Sequence, residues 1–355
     1  MLFLFDNSIV INRNMEIVPN SSVYIGDAVA LLRQLLPTKR IVVITDSNID
    51  RCHHSLIAPY DHIVIGLGEQ SKSLVTVERL YRELINRGVD RNTFLLGVGG
   101  GIVTDITGFV ASTYMRGLEF GFVSTTLLGQ VDAALGGKNG VNIGGYKNMV
   151  GTFSHPRFVI CDVALLATLS DREFRAGLAE VVKSAIIGSE ALFEVLESVE
   201  FKTLRTNSLL LSKIVEAAQS VKISVVSADQ REKGLRRVLN LGHTVAHAIE
   251  KCSPRYNHGE AVAIGLSIVA RVAVEANLAE GVVVERVDNL LRRLGFDIAL
   301  PVVPLQMLKA MRKDKKRDGE TLHLILPEKI GQVQDCLLSF ERVESMFATA
   351  TKCEK

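Results

Sequence analysis

Through the first 160 residues, short β-branched and apolar runs alternate with stretches whose apolar spacing is helical. No other feature constrains the fold as tightly. Arg40–Thr45 (RIVVIT) leads into Asp46-Ser47-Asn48, and His62–Ile65 (HIVI) leads into Gly68-Glu69-Gln70-Ser71-Lys72. From Val75 to Ile85 the apolar spacing predicts an amphipathic helix, which Gly88 stops. Thr93–Val98 then runs into Gly99-Gly100-Gly101 and a helical stretch to about Tyr114. Strands alternating with helices predict a parallel sheet covered on both faces.

A strand that ends in glycines and opens a helix can hold a phosphate. Glycine lets the backbone approach an anion, and the helix N-terminus offers N–H groups at its positive dipole end. The glycines do not spell G-x-G-x-x-G, and the acidic candidate Asp46 precedes them, so the plain dinucleotide fingerprint is absent. A tight strand-to-helix turn is the competing reading. Residues 121–152 are rich in glycine yet carry Asp132, Lys138 and Lys147 in small, apolar surroundings. Charges placed so are costly unless paired or bound to ligand, which favours phosphate or carboxylate binding.

From Asp171 the pattern turns helical. Arg172–Ile187 carries Glu180 and Lys183 on an apolar helix, and a buried Glu calls for a metal or a cation. Leu209–Glu232 reads as a further long helix bearing Lys222, and Gly234-Leu235-Arg236 interrupts the passage into Leu239–Gly265. That stretch holds His243, His247 and His258, three of the chain's 8 histidines, in a segment that otherwise reads as helix. Helical patterns continue to about Gly295, MRKDKKRDG reads as a solvated face, and Thr321–Leu326 with Gly331–Cys336 reads as a hairpin. Residues at i and i+4 share a helix face, so spacing nominates His243 and His247 as a metal pair. With Glu180 they make three ligands and leave the third histidine as an acid or base. A divalent metal beside a dinucleotide binds an alcohol as alkoxide, which then loses hydride. The residues alone therefore predict metal-assisted, nicotinamide-dependent oxidation of an anionic alcohol.

Net charge is +2, from 41 basic and 39 acidic residues, which leaves no footprint for nucleic acid or a membrane surface. Five scattered cysteines without a CxxC argue against a disulfide framework. Met1–Val10 reads as a strand and not a signal peptide, and no uncharged run reaches the roughly 18 residues of a membrane span, so a cytoplasmic setting is expected.

At these same stretches the chain resembles the 3-dehydroquinate synthases of the sugar-phosphate cyclase family, from about Asp46 to Gln332. The motifs are GEQSK (Gly68–Lys72), GVGGGIVTDITGFVASTYMRG (Gly97–Gly117), TTLLGQVDAALGGKNGVN (Thr125–Asn142), GYKNMVGTF (Gly145–Phe153), GLAEVVK (Gly177–Lys183), EKGLRRVLNLGHTVAHAIE (Glu232–Glu250), HGEAVAIG (His258–Gly265) and DKK (Asp314–Lys316). The resemblance implies an α/β, Rossmann-like nucleotide-binding domain over 1–160 and an all-α domain binding metal and substrate over 161–355, with the active site in the cleft between. It implies zinc, with cobalt as a substitute, on Glu180, His243 and His258. His247 is then a catalytic acid/base and not a ligand. NAD is expected at Asp46, Asn48, Glu69, Lys72, Gly100, Gly101, Ile102, Asp105, Thr125, Thr126, Lys138, Lys147, Leu165 and Thr168. The substrate is expected at Asp132, Lys138, Lys147, Asn148, Lys183, Lys222, Arg236, Asn240 and one or both of Lys315 and Lys316, with Glu232 among the catalytic residues. Arg116 matches a residue that reaches phosphate from a neighbouring subunit, which implies a homodimer.

The implied reaction is that of the shikimate pathway, on the route to aromatic amino acids. It turns 3-deoxy-arabino-heptulosonate 7-phosphate into 3-dehydroquinate and phosphate. The steps are transient oxidation, phosphate elimination, re-reduction and aldol closure, so the enzyme is a lyase by outcome. The chain departs from the family pattern at Ser124, Asn139 and Leu165, none of which removes a charged or metal-binding group. Rival readings are another sugar-phosphate cyclase, a polyol dehydrogenase of related fold, and a non-enzymatic metal-dependent module. Arg236, Asn240, His247 and DKK argue against the first, and the presence of His247, Lys183 and Lys138 against the last.

Overall fold

The computed structural model describes residues 13–300, 306–309, 311 and 321–350. The expected N-terminal strand of Met1–Val10, Cys353, and the DKK run with Lys315 and Lys316 lie outside the described residues. The chain divides into two compact units, Met1–Thr168 and Leu169–Lys355.

The first unit is built on a seven-stranded sheet in the order β1-β2-β9-β6-β5-β3-β4. Its strands are β1 (Arg13–Val18), β2 (Ser21–Ile25), β3 (Ile41–Asp46), β4 (Asp61–Ile65), β5 (Phe94–Gly99), β6 (Phe120–Ser124) and β9 (Phe158–Cys161). Only the β1–β2 pair is antiparallel. The apolar runs read from the sequence form β3, β4 and β5, and β5 is buried along its whole length, as a strand covered on both faces must be. A boundary at residue 160 would cut β9, which pairs with β2 on one side and β6 on the other. Both that strand and the Val163–Thr168 turn therefore belong to the first unit.

Capping side chains set the helix starts. Asp27, Asp46 and Ser73 cap α1 (Ala28–Leu35), α2 (Ser47–Cys52) and, after the short α3 (His54–Ile57), α4 (Leu74–Asn86). Gly88, at φ 63°, closes α4 as its sequence predicts. The chain then reverses: β3 leads to β4 at the sheet edge, whereas β5 leads through α5 (Gly101–Thr113) to β6 on the other side. The carboxyl ends of β3 and β5 thus flank a topological switch point, where open α/β sheets bind ligands. The glycine-rich stretch after β6 forms a π-helical turn, Gly129–Ala133, and an antiparallel hairpin of β7 (Lys138–Ile143) and β8 (Tyr146–Phe153). Gly144 and Gly145, both at positive φ, make its two-residue turn.

The second unit is mostly helical. It contains α6 (Asp171–Gly188), α7 (Glu190–Ser198), α8 (Phe201–Thr206), α9 (Ser208–Ala228), α10 (His243–Cys252), α11 (His258–Glu275) and α12 (Gly281–Arg293). It is not all-α, since β10 (Thr321–Lys329) pairs with β11 (Gln332–Ser339), extending the predicted hairpin, before a helix over Phe340–Ala350. The helix expected to run to Glu232 ends at Ala228, because the Asp229 carboxylate takes up the amides of the following loop. The segment Leu239–Gly265 is likewise two helices, separated by a turn through Ser253–Asn257. Among the described residues no helix is long and apolar enough to cross a membrane. The four described cysteines are free thiols.

Candidate active site

Three helices of the second unit bring a carboxylate and two imidazoles together. Glu180 sits mid-way along α6, fully buried, and His243 and His258 are the first residues of α10 and α11. His258 Nε2 lies 3.1 Å and His243 Nε2 3.5 Å from Glu180 Oε1. One donor atom from each of the three residues falls within 4.8 Å of the others.

Glycines allow this convergence. A Cβ on Gly259 would stand 2.2 Å from Ala176 Cα of α6, and one on Gly265 would stand 2.2 Å from the Gly242 carbonyl oxygen. The backbone of α11 therefore lies directly against α6 on one side and the start of α10 on the other. A capping box of Asn257 and Glu260 fixes the first turn of α11, and Arg172 grips Glu260 with two hydrogen bonds of 2.7 Å.

The donor set fits a divalent metal. His243 Nδ1 donates to the Leu241 carbonyl at 3.1 Å, which leaves the Nε2 lone pair facing Glu180. Burial, helped by the nearby Lys183 ammonium, pushes the His243 pKa down to about 3, so the ring is neutral, as a ligand must be. His258 turns Nδ1 towards Glu250 at 3.5 Å, the carboxylate–histidine pairing that orients metal ligands. Against the pull of burial, contacts with Glu180 and Glu250 raise the His258 pKa to about 10, so without a metal this ring holds a proton against Glu180 that metal binding would have to displace. A tetrahedral site with three protein ligands keeps one position for substrate oxygen or water. His247, the partner nominated by i, i+4 spacing, stands outside this set. Its ring is 5.6 Å from that of His243, and it is exposed where the ligands are partly or wholly buried.

A buried cation stands against the centre. Lys183, 1% exposed, forms an ion pair with Glu180 Oε2. Lys222 on α9 and Arg236 in the Leu235–Asn240 turn are also buried. Asn240 Nδ2 donates to Glu232 Oε1 at 2.9 Å. Neither Asp229 nor Glu250 is singled out by the sequence reading. The glycines of HGEAVAIG were the available signal for the helix contact, since glycine inside a helix marks close backbone approach.

In the first unit several of the predicted cofactor residues lie at the switch point. Asp46 ends β3 and caps α2, and Asn48, exposed in the first turn of that helix, accepts from Arg51. Gly100 is the N-cap of α5, which no side chain caps, so its first amides face outward at the positive end of the helix. The glycines there serve packing as well. None has positive φ, and a Cβ on Gly100 would stand 2.8 Å from the Thr126 methyl, one on Gly101 3.1 Å from Ala133 Cβ. Ile102 follows in the same turn. Thr125 N donates to the Gly99 carbonyl at 3.0 Å, which ties the β6 end to the β5 end.

Lys72 is buried and paired with Asp105, while Glu69 accepts from Asn142 Nδ2 at 2.7 Å. Burial raises the Asp105 pKa to about 6 against the pull of the Lys72 charge, with Glu69 and Asp132 adding to the rise. The apolar surroundings expected for Asp132, Lys138 and Lys147 hold only in part. Asp132 is half-buried in the π-helical turn, but Lys138, Lys147 and Asn148 are exposed on the hairpin. Asn148, at φ 54°, donates its amide to Asn142 Oδ1 at 2.9 Å. Leu165 packs into the hydrophobic core and offers a cofactor little surface, and Thr168 bonds His53 Nε2 at 2.8 Å. Arg116 is exposed in a run of left-handed residues, Met115, Arg116 and Gly117. Such backbone persists only where its surroundings enforce it.

The chain's relatives point to one family. A family model described as the 3-dehydroquinate synthase N-terminal domain matches residues 62–176, and one for the C-terminal domain matches residues 177–317. A 3-dehydroquinate synthase of Dictyoglomus thermophilum is 42% identical over 77% of this chain and 77% of its own. Among solved structures, 2-epi-5-epi-valiolone synthase from Streptomyces hygroscopicus subsp. jinggangensis 5008, with NAD+ and Zn2+ bound, is 25% identical, with a TM-score of 0.85 over 99% of each chain. A 2-deoxy-scyllo-inosose synthase complexed with carbaglucose-6-phosphate, NAD+ and Co2+ is 26% identical, with a TM-score of 0.85 over 95% of this chain and 99% of its own. The two halves of the family match meet within α6, just before Glu180, so between them they cover β5, the start of α5 and the metal triad. The chain belongs to the 3-dehydroquinate synthase family.

Proposed function

We propose that this protein converts 3-deoxy-arabino-heptulosonate 7-phosphate into 3-dehydroquinate and phosphate, as a lyase that uses NAD without net consumption. The observation that carries the reading is the Glu180–His243–His258 triad with the buried Lys183 against it. When bound, the metal polarises the substrate hydroxyl and NAD exchanges hydride with its carbon.

The chain's own residues do the rest. Glu180, His243 and His258 hold the metal. Asp46, Asn48, Glu69, Lys72, Asp105, Thr125, Thr126 and the start of α5 hold the dinucleotide. Lys183, Lys222, Arg236 and Asn240 bind substrate anionic and hydroxyl groups, where buried cations favour carboxylate and phosphate over neutral sugars. His247, exposed one turn along from His243, moves a proton at the substrate oxygen. By the family motifs, Asp132, Lys138, Lys147 and Asn148 are also assigned to the substrate, and Glu232 orients Asn240. The same reading includes a homodimer in which Arg116 serves the neighbouring subunit, and a cytoplasmic setting.

A second reading, a cyclase acting on a sugar phosphate without a carboxylate, draws on the two solved relatives. One assay separates the readings: phosphate release with zinc and catalytic NAD. The heptulosonate phosphate is expected to release phosphate with no net NADH. Turnover only of a sugar phosphate lacking the carboxylate supports the second reading, and stoichiometric NADH from a simple polyol rejects both.

A further inference from the structure

Asp229 belongs to none of the residue sets above, yet it organises the loop that presents three of them. It is the C-cap of α9, in a non-helical conformation. Its Oδ1 accepts the Lys233 amide at 2.9 Å, and its Oδ2 accepts the amides of Gly234 at 2.8 Å and Arg236 at 3.1 Å. Three amides on one carboxylate fix the path of the chain from the end of α9 to the Leu235–Asn240 turn. Those bonds, the one from Lys233 first, hold the carboxyl at about 2, so it is ionised throughout the working range.

The loop so held is not one the sequence would adopt unaided. Glu232 sits within it at φ 55°, in the left-handed region that a glutamate rarely occupies. From there its Oε1 receives Asn240 Nδ2. Arg236, 2% exposed, donates Nη1 to the Gln230 carbonyl at 2.6 Å. Glu232, Arg236 and Asn240 therefore owe their placement to a backbone that Asp229 closes upon itself.

We propose that Asp229 is the positioning residue of the substrate-anion loop, fixing Glu232, Arg236 and Asn240 through the backbone without touching substrate itself. This rests on the sugar-phosphate reading of the site. A cap with only a structural role would alter thermal stability and leave the substrate KM alone.

The test is steady-state kinetics of the metal-loaded protein with NAD, comparing wild type, Asp229→Ala and Asp229→Asn, with metal content and NADH fluorescence binding measured alongside. Asp229→Ala is expected to raise KM for the heptulosonate phosphate roughly ten- to a hundredfold, with a smaller fall in kcat. Metal stoichiometry and NADH affinity should stay at wild-type values. Asp229→Asn keeps one acceptor oxygen and should fall between, and it carries the test if the alanine variant does not fold. A wild-type KM in Asp229→Ala overturns the proposal, as does loss of metal or NADH binding in step with activity. If wild type itself releases no phosphate, the functional reading has failed. The loop is then tested by titration with inorganic phosphate, which should bind wild type more tightly than Asp229→Ala, and equal affinity would overturn the proposal.

Discussion

Substituting Gly259 by alanine tests whether helix contact sets the metal centre. The new Cβ would lie 2.2 Å from Ala176 Cα, 2.4 Å from its carbonyl oxygen and 2.7 Å from its carbonyl carbon. All three atoms are backbone, so no rotamer change relieves the clash. Ordinary contact begins at 3.4 Å, so α11 and α6 must separate locally by about 1 Å to relieve the clash. His258 is the adjacent residue, and Glu180 lies one turn along α6 from Ala176. Metal–ligand distances tolerate only about 0.2 Å, so a shift of that size pulls His258 out of a common coordination sphere with Glu180. Overpacking of this kind costs about 1–3 kcal/mol, and for a unit of this size that lowers the melting midpoint by roughly 2–12 °C. The assay is zinc affinity by competition with a chromophoric chelator, together with NADH binding. Zinc affinity should fall at least about tenfold, as it does when the shell around metal ligands is disturbed, while NADH binding persists. Gly281→Ala is the control, since a Cβ there meets nothing within 4 Å and the residue lacks positive φ. Wild-type zinc affinity in Gly259→Ala would refute the reasoning.

Three further outcomes are expected. His243→Ala and His258→Ala lose metal by elemental analysis while His247→Ala retains it, and Glu250→Gln, facing His258 Nδ1 at 3.5 Å, weakens metal affinity about 10–100-fold; metal loss in His247→Ala would reverse the assignment. The folded state holds the Asp105 proton more tightly than the unfolded chain does, because its pKa rises from 3.8 to about 6, so stability falls as pH climbs through that window and is level above it. With the side chain 18% exposed, the decline attributable to Asp105 is about 1–3 kcal/mol, and urea titrations of Asp105→Asn from pH 4 to 7 should lack it; an unchanged slope would reject this account.

Local pattern made much of the fold legible. The strands β3 and β5 are continuous apolar runs because a parallel sheet buries both faces, and the helices α4 and α6 follow from apolar period and capping residues. The β7–β8 hairpin was not legible as strands, because its buried run is only Asn139-Gly140-Val141 and β8 is exposed along most of its length. The end of α9 was also hidden. Val225 to Glu232 is locally compatible with helix, and only the Asp229 side chain, bonding amides up to seven residues ahead, turns the chain away.

The sequence by itself determined the chemistry available: a strand-to-glycine turn opening a helix, a carboxylate and a lysine on an apolar helix, and a cluster of histidines. Which histidines converge on Glu180 was decided by tertiary structure. Spacing along one helix records only neighbours on that helix, and it nominates His243 with His247. The site draws instead on the starts of α10 and α11 and the middle of α6, brought within reach by glycine contacts between segments far apart in sequence. Coordination selects atoms that converge in space, and that convergence belongs to the packing of three helices.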